Sequence, residues 1–499
     1  MTTPDKVLIT NIGALRAKYG RDGVDRIRVG LDRLIAADAT RGLRTRIVAL
    51  DDGRTARALG ISAVSDHADA EATKVAFDAI DEVWSPAYFV IVGSDDVIAS
   101  QPMRNPLYQA GPDSVDDDLI VASDLPYACD HDYSTSIGHF RGPSRVVGRI
   151  PDGHASTSTA QLRTALKVAA TYRSRPRTAY EKIWALTAAD WRRSSVELLT
   201  KTVGSTTGLV EIPPHLRWQV RHTQRALHFF NCHGASNRPQ MQGQRGSWRP
   251  VVMNPKELLQ GERLREGTVV ATECCYTGAM VPPDRKSGPA FVDVYTRKGA
   301  YAFLGSSTEV WGGIHSNEDA DLLVRFYLHH VLSGTSSGRA LLQARQDYIL
   351  RKTALSPTDL KTLAQFTLFG DPSLHPVVPD RAVINPDIGP TRGLVARRRR
   401  LKANGQALHA STEHAGDVEL EATEADHDAL RAAVAGQISH RFSAKARSVR
   451  FPIVAPGGAQ VDRARHFAAV HETTDRGTHM AMTQLEDGVI SELRLLQRR

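Results

Sequence analysis

The sequence predicts an α/β fold: a sheet with flanking helices in two tandem α/β subdomains, followed by a small C-terminal α+β module. Three observations carry this. Short apolar runs alternate with helical stretches through the first half in a β-α-β-α-β rhythm, which argues for parallel strands covered on both faces. Three later runs, 226–231, 267–272 and 299–304, each end in a polar loop of small residues. And 499 residues are more than one hydrophobic core usually organises.

Taken in order, Lys6–Thr10 reads as a buried strand, and an amphipathic helix follows over about 14–37, with Val24, Ile27, Val29, Leu31, Leu34 and Ile35 as its apolar positions. Arg44–Leu50 is a second strand, 70–83 a helix, and Tyr88–Val92 a third strand running into Gly93-Ser94-Asp95-Asp96. Loop composition dominates 94–144, broken by Leu119–Ala122, and Val146–Ile150 is again strand-like. Helices around 159–173 and 194–203 flank a strand at 182–187; two more cover about 317–332 and 337–353 before Thr367–Ser373 closes the region. The expected division is 1–150 for the N-terminal subdomain, 151–376 for the catalytic one and 377–421 for a basic linker containing Pro, Arg and Gly. Residues 422–499 form the last module, with a helix at Glu424–Ile438 and strands at 477–484 and 488–496 around the turn signal Glu-Asp-Gly.

Apolar residues at 41% and charged ones at 24% mark a globular protein. No run approaches the roughly 20 apolar residues that span a bilayer, and the first residues carry no secretory pattern. A cytoplasmic location is therefore expected. The four cysteines, Cys129, Cys232, Cys274 and Cys275, make neither a disulfide framework nor a zinc motif and read as free thiols. The net charge is +8, but Lys and Arg are scattered apart from Arg397–Arg400 and Lys402. Without interleaved aromatics that run reads as a solvated, flexible linker.

A catalytic cysteine acts as its thiolate and needs a neighbouring base, access to substrate and donors for the oxyanion. Cys275 stands just past a buried strand, and Gly278 follows three residues on, so the backbone can turn close to a substrate. His233 ends another such strand and is followed by Gly234. Open α/β sheets place their chemistry in loops at the carboxyl ends of strands, where a thiol and an imidazole 42 residues apart can meet. A lone buried cysteine is ordinarily a small apolar residue and a lone His-Gly ordinarily a loop. Their order, strand–His-Gly then strand–Cys-x-x-Gly, is what joins them.

Six segments then occur in a telling order. They are Tyr88–Gly93, Ser123-Asp124-Leu-Pro-Tyr127, Val147-Gly148-Arg149-Ile150-Pro151, Phe230-Asn-Cys-His233-Gly234, Glu273-Cys274-Cys275-Tyr-Thr-Gly278 and Thr367-Leu-Phe-Gly-Asp371-Pro372-Ser373. Together, over roughly residues 5–376, they resemble the gingipain-like cysteine peptidases, bacterial relatives of caspases in the caspase/gingipain clan (clan CD). Ser94 departs from the pattern, standing where the family's first segment ends in Gly-Asp. The resemblance implies a caspase/gingipain-like sheet and a cysteine endopeptidase that works through a thioester acyl-enzyme. Cys275 is then the nucleophile, His233 the general base or acid, and the N–H groups of Gly234 and Cys275 the oxyanion hole. Cys274 becomes a buried neighbour, its own candidacy as nucleophile being the competing assignment. Glu273 reads as a strand-end carboxylate without a direct role.

In arginine-specific members, an acid shortly after a mid-chain strand holds the substrate's basic side chain. The comparable stretch, Ile183–Trp191, makes Asp190 the candidate pocket acid, with Trp191 or Trp311 as a wall. Cleavage after arginine is then expected, because carboxylate–guanidinium bonds are bidentate and charge-assisted; a cap on the helix beginning near Arg192 is the competing role for Asp190. No cofactor is required, although Asp124 and Asp130 could join a calcium site; as plain surface acids they have no metal. The expected partners are protein or peptide substrates and an activating protease or regulatory partner, with no membrane and no nucleic acid. An intracellular enzyme of this kind needs restraint as a zymogen, and Arg392–Lys402 is the obvious cut site. Two other functions stand beside this one. A catalytically silent scaffold of the same fold would be marked by loss of the dyad, and here both members are present. A nucleic-acid-binding regulator would lose affinity steeply with salt.

Overall fold

The computed structural model describes the chain apart from residues 1–2, 111–113, 216–219, 262, 281–287, 379–390, 417–441, 443–446, 457–458, 462–464 and 487–488. Its strands are β1 Lys6–Thr10, β2 Thr45–Ala49, β3 Tyr88–Val92, β4 Gln101–Arg104, β5 Ile120–Ser123, β6 Val147–Ile150, β7 Ile183–Ala188, β8 Leu209–Ile212, β9 Leu227–Asn231, β10 Met241–Gln242, β11 Val251–Met253, β12 Val269–Thr272, β13 Ala302–Ser306, β14 Trp311–Gly313, β15 Ala354–Leu355, β16 Phe366–Phe369, β17 Glu413–Ala415, β18 Arg447–Val454, β19 Arg465–Thr474, β20 Gly477–Glu486 and β21 Val489–Arg498. Ten of them form one sheet in the order β2-β1-β3-β6-β16-β13-β12-β9-β7-β8. Neighbours run parallel except β13 and β16. The sheet thus has two oppositely directed halves that meet where β13 runs antiparallel to β16, while the strands of 1–150 join those of 151–376 in parallel, where Phe369 of β16 meets Arg149 of β6.

The central strands are mostly apolar because both faces are covered: β1, β3, β9 and β12 are buried along their whole length. The first helix, Ile12–Thr40, starts at Asn11, whose side chain accepts from the Ala14 N–H, and breaks at Gly20, where φ is +69°. Its buried stripe runs Gly23, Ile27, Leu31, Leu34 and Asp38, while Val29 faces solvent.

Several of the recurring segments prove to be struts. The Arg149 guanidinium meets the Asp124 carboxylate at 2.6 and 2.9 Å and donates to the carbonyls of Gly93 and Ile98. Asp371 and Asp38 both take the buried Lys6 ammonium. The segment that closes the catalytic unit is thereby fastened to the first strand.

Two expectations change beyond residue 376. The arginine run is not a loose linker, for Thr391–Ser411 is a helix, Arg398 reaches Asp5 and the Trp84 carbonyl, and Lys402 lies 3.2 Å from Asp130. A protease cutting within Arg392–Lys402 must first unwind it. The last module also does not build a sheet alone: its order is β14-β21-β20-β19-β18-β17-β15, so strands of the catalytic unit form both edges. The expected helix Glu424–Ile438 lies outside the described residues. Among the described residues no helix is long and apolar enough to cross a membrane.

Candidate active site

β9 and β12 lie side by side and parallel, with Phe230 opposite Thr272. Three residues on from this pair come His233 and Cys275, so the register places the two residues on neighbouring loops at one end of the sheet. Two main-chain bonds to Gln242 of β10 pin His233. Gly234 passes so close to Cys275 that a Cβ would lie 1.7 Å from its carbonyl oxygen, which only glycine permits. A turn follows the cysteine: Tyr276 takes φ +57°, a conformation that costs a side-chain-bearing residue about 1 kcal/mol or more. A Cβ on Gly278 would meet the Gly305 carbonyl at 2.5 Å. The Cys-x-x-Gly spacing thus folds the loop onto β13.

The two adjacent thiols face different surroundings. The Cys274 sulfur accepts from the Cys232 N–H at 3.3 Å and approaches the Phe230 carbonyl at 3.5 Å, inside the sheet's core. The Cys275 sulfur accepts from the Val310 N–H at 3.1 Å and donates to the main-chain carbonyl of Arg499. That second contact is unforeseen in the sequence, since 224 residues separate the partners.

Arg499 occupies a buried pocket. β21 runs antiparallel to β14, pairing Arg498 with Trp311 and Gln497 with Gly312, and the Arg499 N–H donates to the Val310 carbonyl at 2.9 Å. The Arg499 guanidinium makes two bonds to Asp321, at 2.9 and 3.0 Å, and a third to the Gly313 carbonyl at 2.9 Å. It lies over the Trp191 ring, 4.3 Å from the centroid. Gly312 makes room for it: a Cβ there would sit 2.4 Å from Nε. Below, Glu273 is fully buried beside Asp321; burial first and the Asp321 charge second push its carboxyl well above the usual range.

The imidazole of His233 is bonded through Nε2 to the Gln244 side-chain oxygen at 2.6 Å. The Gln244 amide nitrogen donates to the carbonyls of Gly246 and Arg476, which makes its oxygen the acceptor. Nε2 therefore holds the proton of the neutral ring. The edge of Trp191 packs on the ring at 4.5 Å. Burial, then the Arg249 charge, bring His233 down to about 3, while burial, then Glu309, push the Cys275 thiol far up. With β21 in place both groups are uncharged at neutral pH.

The other expected residues fall as follows. Trp191 is a pocket wall. Trp311 lends its main chain to β21, and its indole N–H donates to Asp116 at 3.0 Å. Asp190, expected as the pocket acid, instead accepts from the Gly246 N–H at 3.1 and 3.3 Å and is exposed; the acid under the guanidinium is Asp321. Asp190 does not cap the following helix either. Asp124 and Asp130 do not suit calcium, since Arg149 neutralises the first and Arg145 and Lys402 the second. Sequence reasoning missed Asp321, Gly312, Gln244 and the strand that fills the cleft. The available signal was Trp311-Gly312-Gly313 followed by acids in the first turn of the helix Asp319–Leu332.

The model of one family, peptidase family C25, matches residues 24–377. No curated protein matches the chain. Among solved structures, one described as "Structure of Protease" aligns with all of this chain and 92% of its own, at 14% identity and a TM-score of 0.45. The separase–securin complex of Saccharomyces cerevisiae aligns with 47% of this chain and 14% of its own, at 14% identity and a TM-score of 0.32.

Proposed function

Because this chain belongs to peptidase family C25 and is a cysteine endopeptidase of the caspase/gingipain clan, we propose that it cleaves protein chains after arginine through Cys275 and His233, and that its own last strand holds it closed. The observation that carries this reading is the position of Arg499. Its guanidinium is clamped by Asp321 and Trp191 while its carbonyl lies at the Cys275 sulfur, the arrangement of an arginine at the cleaved bond.

In the open enzyme a substrate strand takes the path of β21 along β14. The Cys275 sulfur attacks the arginine carbonyl carbon as its proton passes to His233 Nδ1. The carbonyl oxygen becomes an oxyanion held by the N–H groups of Gly234 and Cys275. Collapse breaks the C–N bond, the leaving amine takes the proton from His233, and a thioester remains. Water, giving a proton to His233, attacks that thioester; the arginine leaves as a free carboxylate and the thiol is restored. Gln244 keeps the imidazole turned so that Nδ1 does this work.

The closed state is supported by the burial of both members of the dyad, with Cys275 3% and His233 5% exposed under β21. Strand β21 is anchored further back as well, where Arg494 is buried between Asp319 and Asp359. A partner or protease that withdraws this strand would be the activator.

The test uses the full chain with Arg498→Ala and Arg499→Ala, which vacates the pocket, and fluorogenic peptides carrying Arg, Lys or Asp before the reporter. Release after Arg, lost with Cys275→Ala and kept with Cys274→Ala, is expected. Preferred cleavage after Asp, or activity that survives Cys275→Ala and disappears with Cys274→Ala, refutes the reading. A chain with no turnover in any form is the silent scaffold.

A further inference from the structure

Cleavage after arginine leaves the preceding residue unspecified, yet β21 fills that position too. Arg498 points away from the Asp321 pocket into a second acidic one. Its guanidinium lies 2.9 and 3.1 Å from the two oxygens of Glu309 and 3.2 Å from Asp117. We infer that Glu309, assisted by Asp117, selects a basic residue immediately before the arginine, so that dibasic stretches are the preferred substrates; this rests on the arginine reading above.

The segment 309–313 supplies both kinds of contact. Its main chain pairs with the incoming strand at Val310 and Trp311, and its first side chain, Glu309, takes that strand's penultimate side chain. The pocket is braced from three sides. Asp118 accepts from the Glu309 N–H at 2.8 Å and from the Tyr276 hydroxyl at 3.0 Å, and Asp116 accepts from the Trp311 indole. Tyr276 is the residue next to the nucleophile, so the second pocket and the thiol share one loop.

The charges are unbalanced without a bound cation. Asp116, Asp117, Asp118 and Glu309 gather here, and the cations acting on Glu309 are Arg498 and Lys361, the latter bonded to Asp116. When Arg498 leaves, Glu309 loses its guanidinium partner, and Lys361 stays bonded to Asp116. Burial, then Asp116, push Glu309 up to about 7, so its charge is kept by the guanidinium it meets. Asp116, Asp118 and Glu309 also offer oxygens within 4.8 Å of one another, the spacing of a metal site. Lys361 already holds the Asp116 oxygen, and both Glu309 oxygens are taken by one nitrogen of Arg498, which leaves the cluster fitted to a basic side chain.

The experiment uses the full chain carrying Arg498→Ala and Arg499→Ala, and peptides with Arg-Arg, Lys-Arg, Ala-Arg or Glu-Arg before the reporter. Arg-Arg is expected to exceed Ala-Arg in kcat/KM by roughly tenfold, as a partly exposed charge-assisted pair of this kind provides. Glu-Arg should be the poorest. Adding Glu309→Gln should bring the Arg-Arg to Ala-Arg ratio close to one, and in the parent the ratio should be larger at pH 8 than at pH 6. Equal rates for Arg-Arg and Ala-Arg, with arginine still required at the cleaved bond, overturn this inference and leave the proposed function standing. A ratio that millimolar calcium abolishes also overturns it, by making a metal ion the pocket's ligand. Loss of the arginine requirement itself overturns both.

Discussion

Replacing Arg499 by alanine in the otherwise intact chain should open the enzyme. The substitution removes two bonds to Asp321, one to the Gly313 carbonyl and the stacking on Trp191, and it leaves Asp321, 0% exposed, without its ion-pair partner. Truncating one partner of a buried, hydrogen-bonded charge pair costs about 2–5 kcal/mol, much of it the penalty on the acid left behind. While the closed form predominates, the open fraction rises in proportion to that loss. The rate should therefore increase by roughly thirty-fold to several thousand-fold. Two assays read it independently: kcat/KM on an Arg-Arg peptide, and the second-order rate of Cys275 alkylation by iodoacetamide. Arg499→Lys, which keeps the charge but loses the planar group stacked on Trp191, should fall between. If both rates stay within twofold of the parent for Arg499→Ala, β21 does not restrain the site.

Acid should loosen the same contact. His233 is held near 3 under β21 against an ordinary value of 6.5, so the open form binds the proton more readily and gains ground as pH falls from about 6.5 toward 3. Glu309, up at about 7, loses its hold on Arg498 over the upper part of that range. Hydrogen-exchange protection of residues 494–499, corrected for intrinsic rates, should drop between pH 7 and 5; protection that stays level or grows contradicts the assignment. In the opened chain, Gln244→Ala removes the bond that orients His233, worth about 1.5 kcal/mol, and should lower kcat roughly tenfold with little change in KM. An unchanged kcat would show that the imidazole is oriented by other contacts. Lys6→Met strands the buried carboxylates of Asp38 and Asp371 and should destabilise the chain by about 3–5 kcal/mol, read as an earlier unfolding midpoint in urea.

Much of the sheet and the placing of His233 and Cys275 at strand ends was legible in the sequence because both are written locally. Val- and Ile-rich runs such as Tyr88–Val92 state their own burial, and glycines at 234 and 278 mark backbone that must pass another strand closely. His233 and Cys275 could be paired because each ends a strand three residues past a register-matched position. The surroundings of Asp190 were not legible, because proximity to a strand end says nothing of where a carboxylate points: it accepts from the Gly246 N–H, and the acid that meets the Arg499 guanidinium stands on a helix that begins 44 residues after Cys275. The basic run looked like a linker because its counter-charges, Asp5 and Asp130, lie hundreds of residues earlier. By itself, the sequence determined which segments are strands and that His233 and Cys275 stand just past two of them, since periodicity and glycine placement are local constraints. Only the tertiary structure decided that the two halves of the sheet oppose each other, that Asp321 and Glu309 form paired acidic pockets, and that Arg498 and Arg499 fill them. Those facts depend on strand order and on charges meeting across the chain, and nothing in local sequence pattern records either.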